Sequence, residues 1–276
     1  MPLITLTTDF GLKDHFVASI KGAIYSEFST ATIVDISHEI SPFNITETAY
    51  ILKNAYKNFP KGSIHIVGVD SELSVENKQL AILLDDHYFI CPDNGIISMI
   101  ASEIRPEKIM EITIQGTMAS SFNVLDVFVK VACHILRGGT LDVIGRPVTD
   151  YRQIKEVHPS VNDKKDKIVG AVIYIDNYGN VISNISQKLF NDVGKGRRFE
   201  VNARSYIFDK IFNRYNEVVN YSLSPARRQD DGKRLAIFNS ADFLEIAIYR
   251  SNLKTVGGAS SLLGLNYRDT ITVSFY

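Results

Sequence analysis

Cysteine is scarce in this chain. Cys91 and Cys133 are its only two, each within an apolar run ("HYFICPD", "VKVACHIL"). Two distant thiols exclude a disulfide framework, and their surroundings predict buried free thiols in a reducing compartment. Charge of neither sign is in excess: 30 Lys+Arg stand against 31 Asp+Glu, a formal net charge of −1. That balance recruits neither nucleic acid nor an anionic membrane surface. No apolar run approaches the roughly 20 residues that span a bilayer. The opening "MPLITLTTDFG" enters a strand pattern at once, with no basic segment and long apolar stretch of a signal peptide, so a cytoplasmic protein is expected.

Several chemical signatures are missing as well. The six histidines form no HxxxH or HExxH pair, so no sequence-local metal site is expected. There is no G-x-S-x-G elbow and no Walker loop. "TDFGLKDHF" offers a single glycine, where a dinucleotide fingerprint needs a run of them. Neither metal nor cofactor is expected.

What remains is ordinary globular usage, 45% hydrophobic and 22% charged, over 276 residues. That length suits one large domain or two smaller ones. "PLITLTTDFG" reads as a buried strand, and "DHFVASIKGAIYSEF" then carries apolar residues at helical spacing. "ATIVDISHEI" is a second strand. After Pro42 comes a helix with Ile45, Ala49, Leu52, Ala55 and Phe59 on one face. Residues 64–84 give strand, loop, strand, and residues 125–139 a last helix stopped by Gly138 and Gly139. Alternating strands and helices predict an α/β N-terminal domain, 1–150, with a mostly parallel central sheet. Asp9, Asp35 and Asp70 each fall at an expected strand end, where such sheets bind ligands. Residues 151–167 are polar and charged and read as a linker. Short apolar runs between turn residues then predict a smaller all-β barrel domain, 168–276.

Some side chains stand out chemically. Asp9, at a strand-to-loop junction, can accept hydrogen bonds from a vicinal diol, and it can equally cap a turn. "CPDNGIIS" is strong turn chemistry. "IDNYGNVISNI" packs Asp176, Asn177, Asn180 and Asn184 around Tyr178 and Gly179. It reads either as amides offered to a purine edge beside a stacking ring or as an asparagine-rich hairpin. Asn239 and Ser240 open "FNSADFLEIAI" as candidate anion donors.

"TLTTDFGLKDHFVASIKGAI", "IVDISHEISPFNI", "FPKGSIHIVGVD", "ICPDNGIIS", "YIDNYGNVISNI" and "FNSADFLEIAI" together resemble the S-adenosylmethionine hydroxide adenosyltransferases. That family, once a domain of unknown function, is related to bacterial fluorinase and chlorinase. The resemblance covers essentially the whole chain. It implies a homotrimer, with sites between one subunit's N-terminal domain and the next subunit's C-terminal domain. It also implies in-line attack by water or hydroxide at C5′ of S-adenosylmethionine, giving adenosine and methionine. Carried over by position, Asp9 would hold the ribose diol and Phe43 would stack near ribose or adenine. Asp176 would meet the methionine ammonium, and Tyr178 and Asn180 the adenine. Ser240 would bind the methionine carboxylate, and the backbone around Tyr249 the adenine edge.

The chain departs from the pattern where the nucleophile is expected. The hydroxide-using members resemble one another in an Asp-Arg-His set beside C5′. Asp70 matches, but Asn77 stands at the arginine position. In "FNVLD", Asn123 replaces the histidine, and Val124 and Leu125 replace Gly-Arg. Two asparagines keep hydrogen bonding and remove positive charge. The resemblance therefore leaves three readings. In the first, a hydrolase uses Asp70, Asn77 and Asn123 on water. The second is a non-catalytic or weakly active protein that binds adenosine or S-adenosylmethionine. The third is a halide-using enzyme, disfavoured by the bulk of Val124.

Overall fold

The structure is a computed structural model that describes residues 3–102, 104–114, 121–155, 157–228 and 230–276. Glu156, in the expected linker, lies outside them. The chain divides into two compact units, residues 1–155 and 156–276.

The first unit holds strands β1 (Ile4–Thr8), β2 (Ile33–Ser37), β3 (Ile64–Gly68), β4 (Gln79–Leu84), β5 (His87–Pro92), β6 (Lys108–Ile112) and β7 (Gly145–Pro147). Its helices are α1 (Phe16–Glu27), α2 (Ile45–Ala55), α3 (Ile96–Ile100) and α4 (Val129–Leu136). The strands form one sheet in the order β2-β1-β3-β5-β4-β6-β7. Strand period two divides the side chains between two cores. Ile64 and Ile66 of β3 join Ile20 and Ile24 of α1 and the α4 residues on one face. Val67 of β3 joins Leu52 of α2 and the α3 residues on the other. Cys91 and Cys133 are free and buried, as expected.

The sheet is mixed, which corrects the expectation of a mostly parallel one. The β1–β2, β1–β3 and β3–β5 pairs are parallel, whereas β4–β5, β4–β6 and β6–β7 are antiparallel. The reversal is local. Asp85 and Asp86, both at positive φ (54° and 61°), make the two-residue turn from β4 into β5. Two left-handed residues are what a tight hairpin requires, so no crossover helix can intervene. Two smaller expectations also shift. Phe59 falls beyond the end of α2, after a 3-10 turn at Tyr56–Asn58. The 125–139 helix opens as a π-helical segment, Val124–Phe128, before α4 begins.

The second unit holds β8 (Ser160–Val161), β9 (Lys167–Ile175), β10 (Val181–Ser186), β11 (Phe199–Ala203), β12 (Tyr206–Phe208), β13 (Ile211–Phe212), β14 (Arg234–Phe238), β15 (Phe243–Ile248) and β16 (Thr270–Phe275). They form a barrel-like sheet in the order β12-β11-β16-β9-β10-β15-β14-β13, with β8 paired to β9. The unit is not all-β. Helix α5 (Gln187–Gly194) follows β10, capped by Ser186 accepting from the Leu189 N–H, and α6 (Ala259–Leu262) precedes β16. Among the described residues, no helix is long and apolar enough to cross a membrane.

Candidate functional site

The candidate residues fall into two groups, one on each unit. In the first unit, parallel β1 and β3 run in register from Ile4↔Ile64 to Thr8↔Gly68. Asp9 and Asp70 therefore leave the sheet at the same edge. Asp35 does not join them. It lies inside β2, paired with Leu6, and its carboxylate meets Lys21 Nζ at 2.6 Å and His38 Nε2 at 3.1 Å.

Asp9 serves the loop role that its sequence context allowed. Its Oδ2 accepts from the Phe43 N–H at 2.9 Å. That bond fixes a loop in which Phe43 takes a φ of 63° and exposes 72% of its surface. Asn44 and Glu47 lock the loop from the other side: Glu47 N–H donates to Asn44 Oδ1, and Asn44 Nδ2 donates back to Glu47 Oε2, each at 3.1 Å. Reciprocal capping of this kind sets where α2 starts, and so sets Phe43 beside Asp9.

Asp70 is held in a left-handed conformation, φ 46°. A non-glycine residue there is strained, and such strain persists only where neighbours over-determine it. Two amides do so. Asn77 Nδ2 donates to the Asp70 and Glu72 carbonyls, at 2.9 Å each. Buried Asn94 donates from Nδ2 to the Val69 carbonyl at 3.0 Å. Asn77 thus reaches Asp70 through its backbone and not through its carboxylate. Asn94 was legible only as a turn residue. Its fixing role depends on β5 ending beside β3, which no local pattern announces.

Asn123 precedes the π-helical segment and is buried, with Oδ1 unpartnered. Its neighbour Val124 packs directly on Gly68. A Cβ at Gly68 would lie 3.0 Å from Val124 Cγ2, 3.2 Å from Thr8 Cγ2 and 3.3 Å from the Phe10 ring. The absence of a side chain at Gly68 therefore brings Asn123 toward the ends of β1 and β3. Phe10, Phe16 and Phe122 form an apolar wall there, with ring centroids 5.4–5.7 Å apart.

In the second unit, Asp176 closes the β9–β10 hairpin. Its Oδ1 accepts from the Tyr178 and Asn180 N–H groups at 2.8 Å, and its Oδ2 from Asn180 Nδ2 at 3.0 Å. Asn180 is buried and its Oδ1 is unpartnered, while Tyr178 is exposed. Gly179, at φ 78°, lets the hairpin approach Gly258, where a Cβ would meet the Tyr178 carbonyl oxygen at 2.4 Å. Asn184 faces away from this cluster: its Oδ1 takes the Ala171 N–H and its Nδ2 donates to the Val157 carbonyl.

Ser240 sits exposed on the β14–β15 turn, which Asn239 Oδ1 closes by accepting from the Ala241 and Phe243 N–H groups. The Tyr249 backbone is engaged with Lys233 and Gly232, its N–H donating to the Lys233 carbonyl at 2.8 Å. One further group had no sequence signal. Glu245, inside β15 and only 2% exposed, has its carboxyl pushed up to about 7, chiefly by burial, against a hydrogen bond from the Tyr215 hydroxyl at 2.8 Å. Among the described residues, no group of three or more His, Cys, Asp and Glu could hold a metal ion.

An α/β unit with carboxylates and buried amides at one sheet edge, followed by a barrel-like unit with a polar hairpin cluster, defines a two-domain protein with candidate polar groups on each unit. Comparison with known proteins gives the family. The model for the SAM hydroxide adenosyltransferase N-terminal domain matches residues 4–145 and that for the C-terminal domain residues 170–272, so the chain belongs to that family. A protein of Methanocaldococcus jannaschii named (R)-S-adenosyl-L-methionine hydrolase is 31% identical, over 100% of this chain and 97% of its own. The protein of the same name from Thermus thermophilus is 24% identical over 94% of each chain. A fluorinase from Actinopolyspora mzabensis is 21% identical over 89% of this chain and 90% of its own. Among solved structures, an uncharacterized conserved protein from Thermotoga maritima matches with a TM-score of 0.82 at 29% identity, covering 99% of this chain and all of its own.

Proposed function

We propose that the protein is an adenosine-forming S-adenosyl-L-methionine hydrolase. Water attacks C5′, the C5′–S bond breaks, its electron pair neutralises the sulfonium, and one proton is released with adenosine and L-methionine. The observation that carries this reading is the strained Asp70, pinned by Asn77 and Asn94 at the edge where Asp9 emerges. Unlike the turn residues Asp85 and Asp86, Asp70 is held there by two side-chain amides, and strain over-determined in this way clusters at working sites. The names of the Methanocaldococcus and Thermus relatives support the same substrate and point to its R sulfonium epimer.

The sulfonium is already a good leaving group, so the protein's task is alignment and exclusion of bulk water. In this reading Asp70 accepts one hydrogen of the attacking water, and the unpartnered Oδ1 of Asn123 is placed to accept the other. Asn77 acts on the loop, holding Asp70 where it is. Asp9 keeps Oδ1 for the ribose diol, with Phe43 alongside. Asn180 offers its buried Oδ1 to the adenine amino group and Tyr178 its ring. Asp176 and Ser240 take the methionine ammonium and carboxylate. Two expected parts fit poorly: Asn77 spends its amide hydrogens on the loop, and the Tyr249 N–H is already bonded. The reading includes a homotrimer with intersubunit sites, a cytoplasmic location and no cofactor.

Purified protein given the R and S epimers in turn should release adenosine and methionine in equal amounts from the R epimer and little from the S. Asp70→Ala should lower kcat at least about 100-fold, as loss of a general base does, with adenosine binding intact. Tight binding without turnover would establish a binding protein instead. A chloride- or fluoride-dependent 5′-halo-5′-deoxyadenosine would establish a halogenase.

A further inference from the structure

Glu245 has no packing reason to be an acid. On β15, Leu244, Ile246 and Ile248 turn into the core of the second unit. Glu245 faces the other way and is still 2% exposed, registered between Ile182 of β10 and Ile237 of β14. An apolar residue of similar size would fill that place without the cost of a buried carboxyl.

Its partners connect features that otherwise look separate. The Tyr215 hydroxyl donates to Glu245 Oε1 at 2.8 Å. The Asn239 side chain also bonds to it and, being an amide facing an acid, donates through Nδ2. The Oδ1 of the same amide closes the turn that presents Ser240. Asp176 lies near enough for its charge to oppose ionisation of Glu245. Tyr215 and Asp176 are the titratable groups acting on it, and neither is a cation.

We propose that Glu245 is a positioning residue for the amino-acid end of the substrate, tying Asp176 to the Ser240 turn, and that a cation bound at Asp176 releases the proton Glu245 carries. This rests on reading Asp176 as the ammonium contact. The negative charge of Asp176 adds to the cost that burial already sets on ionising Glu245. An ammonium at Asp176 removes the repulsion, Glu245 ionises, and its proton goes to solvent. Affinity for a cationic amino-acid ligand then rises with pH until the free-protein titration near 7 is passed, and is flat above it. If binding lowers that titration by about one unit, affinity at pH 5.5 is roughly fivefold weaker than at pH 7.5.

Calorimetry in two buffers of different ionisation enthalpy reads the proton directly. In an Asp70→Ala background, which binds without turnover, the protein should release about half a proton per S-adenosylmethionine near pH 6.5 and none with adenosine, which lacks the ammonium. Glu245→Gln should abolish the release and flatten the pH dependence of KM. Tyr215→Phe removes a donor to the ionised form, so it should move the pH window upward. This second variant serves if Glu245→Gln fails to fold. Asp70→Ala protein that binds S-adenosylmethionine without proton release overturns the inference alone, as does an added Glu245→Gln that leaves the release unchanged. Wild type that binds neither ligand overturns the substrate reading and this inference with it.

Discussion

His65 lies inside β3, fully buried, with Nδ1 2.7 Å from Thr5 Oγ1 and Nε2 3.1 Å from His87 Nδ1. Phe89 packs its ring 4.8 Å from the imidazole. Burial, and secondly repulsion from His87, pushes the imidazole from 6.5 down to about 3. Burial pushes His87 down as well, while nearby Asp85 and Asp86 pull it up. Between pH 6.5 and about 3 the unfolded chain holds a proton on His65 that the folded chain refuses. Stability is therefore full above pH 6.5 and falls as the solution is acidified. The expected loss from His65 alone is about 2 kcal/mol between pH 7.5 and pH 5. Urea unfolding at those two pH values should show it, and His65→Phe, which keeps the ring and removes the titration, should shrink it. An equal loss in the variant would place the acid sensitivity elsewhere.

Gly68 decides how one element meets another. It ends β3, and the π-helical segment at Val124–Phe128 rests on it through Val124. Gly68→Ala puts a methyl 3.0 Å from Val124 Cγ2, and overpacking of that kind costs about 1–3 kcal/mol. Val124→Ala should recover much of that cost, so the two substitutions should couple by at least about 1 kcal/mol in urea unfolding. Strictly additive effects would sink the contact. The same elements show what the sequence could and could not tell. The strand-end places of Asp9 and Asp70 were readable, because an apolar run that stops at a carboxylate is a local feature. The mixed sheet was not, because Asp85-Asp86 lacks the glycine that usually marks a two-residue hairpin. The α5 helix was missed because its eight residues make little more than two turns, too short for a helical period to stand out. The buried acid at Glu245 was invisible, since strand alternation alone places that residue in solvent. Neither Asn94 nor Asn77 could be given its fixing role, since each acts on backbone brought close only by the folded sheet.

At the scale of the whole molecule the candidate residues are divided. Asp9, Phe43, Asp70, Asn77 and Asn123 belong to the first unit, and Asp176, Tyr178, Asn180, Ser240, Glu245 and Tyr249 to the second. The proposed trimer, with sites pairing one subunit's first unit with the next subunit's second unit, would make that division functional. It predicts complementation. Asp70→Asn spoils only the first-unit half of a site, and Asn180→Ala only the second-unit half, so each variant alone should be nearly inactive. If the two are unfolded together in equal amounts and refolded, subunits assort at random around the three-fold ring. A site works when an intact first unit meets an intact second unit from its neighbour, which happens in about one quarter of junctions in a closed ring. Activity should return to about that fraction of wild type, and light scattering should give three chains per particle. A site contained within one chain would return nothing on mixing, because every chain then carries one spoiled half, and that outcome would remove the intersubunit arrangement while leaving the hydrolase reading to its own test.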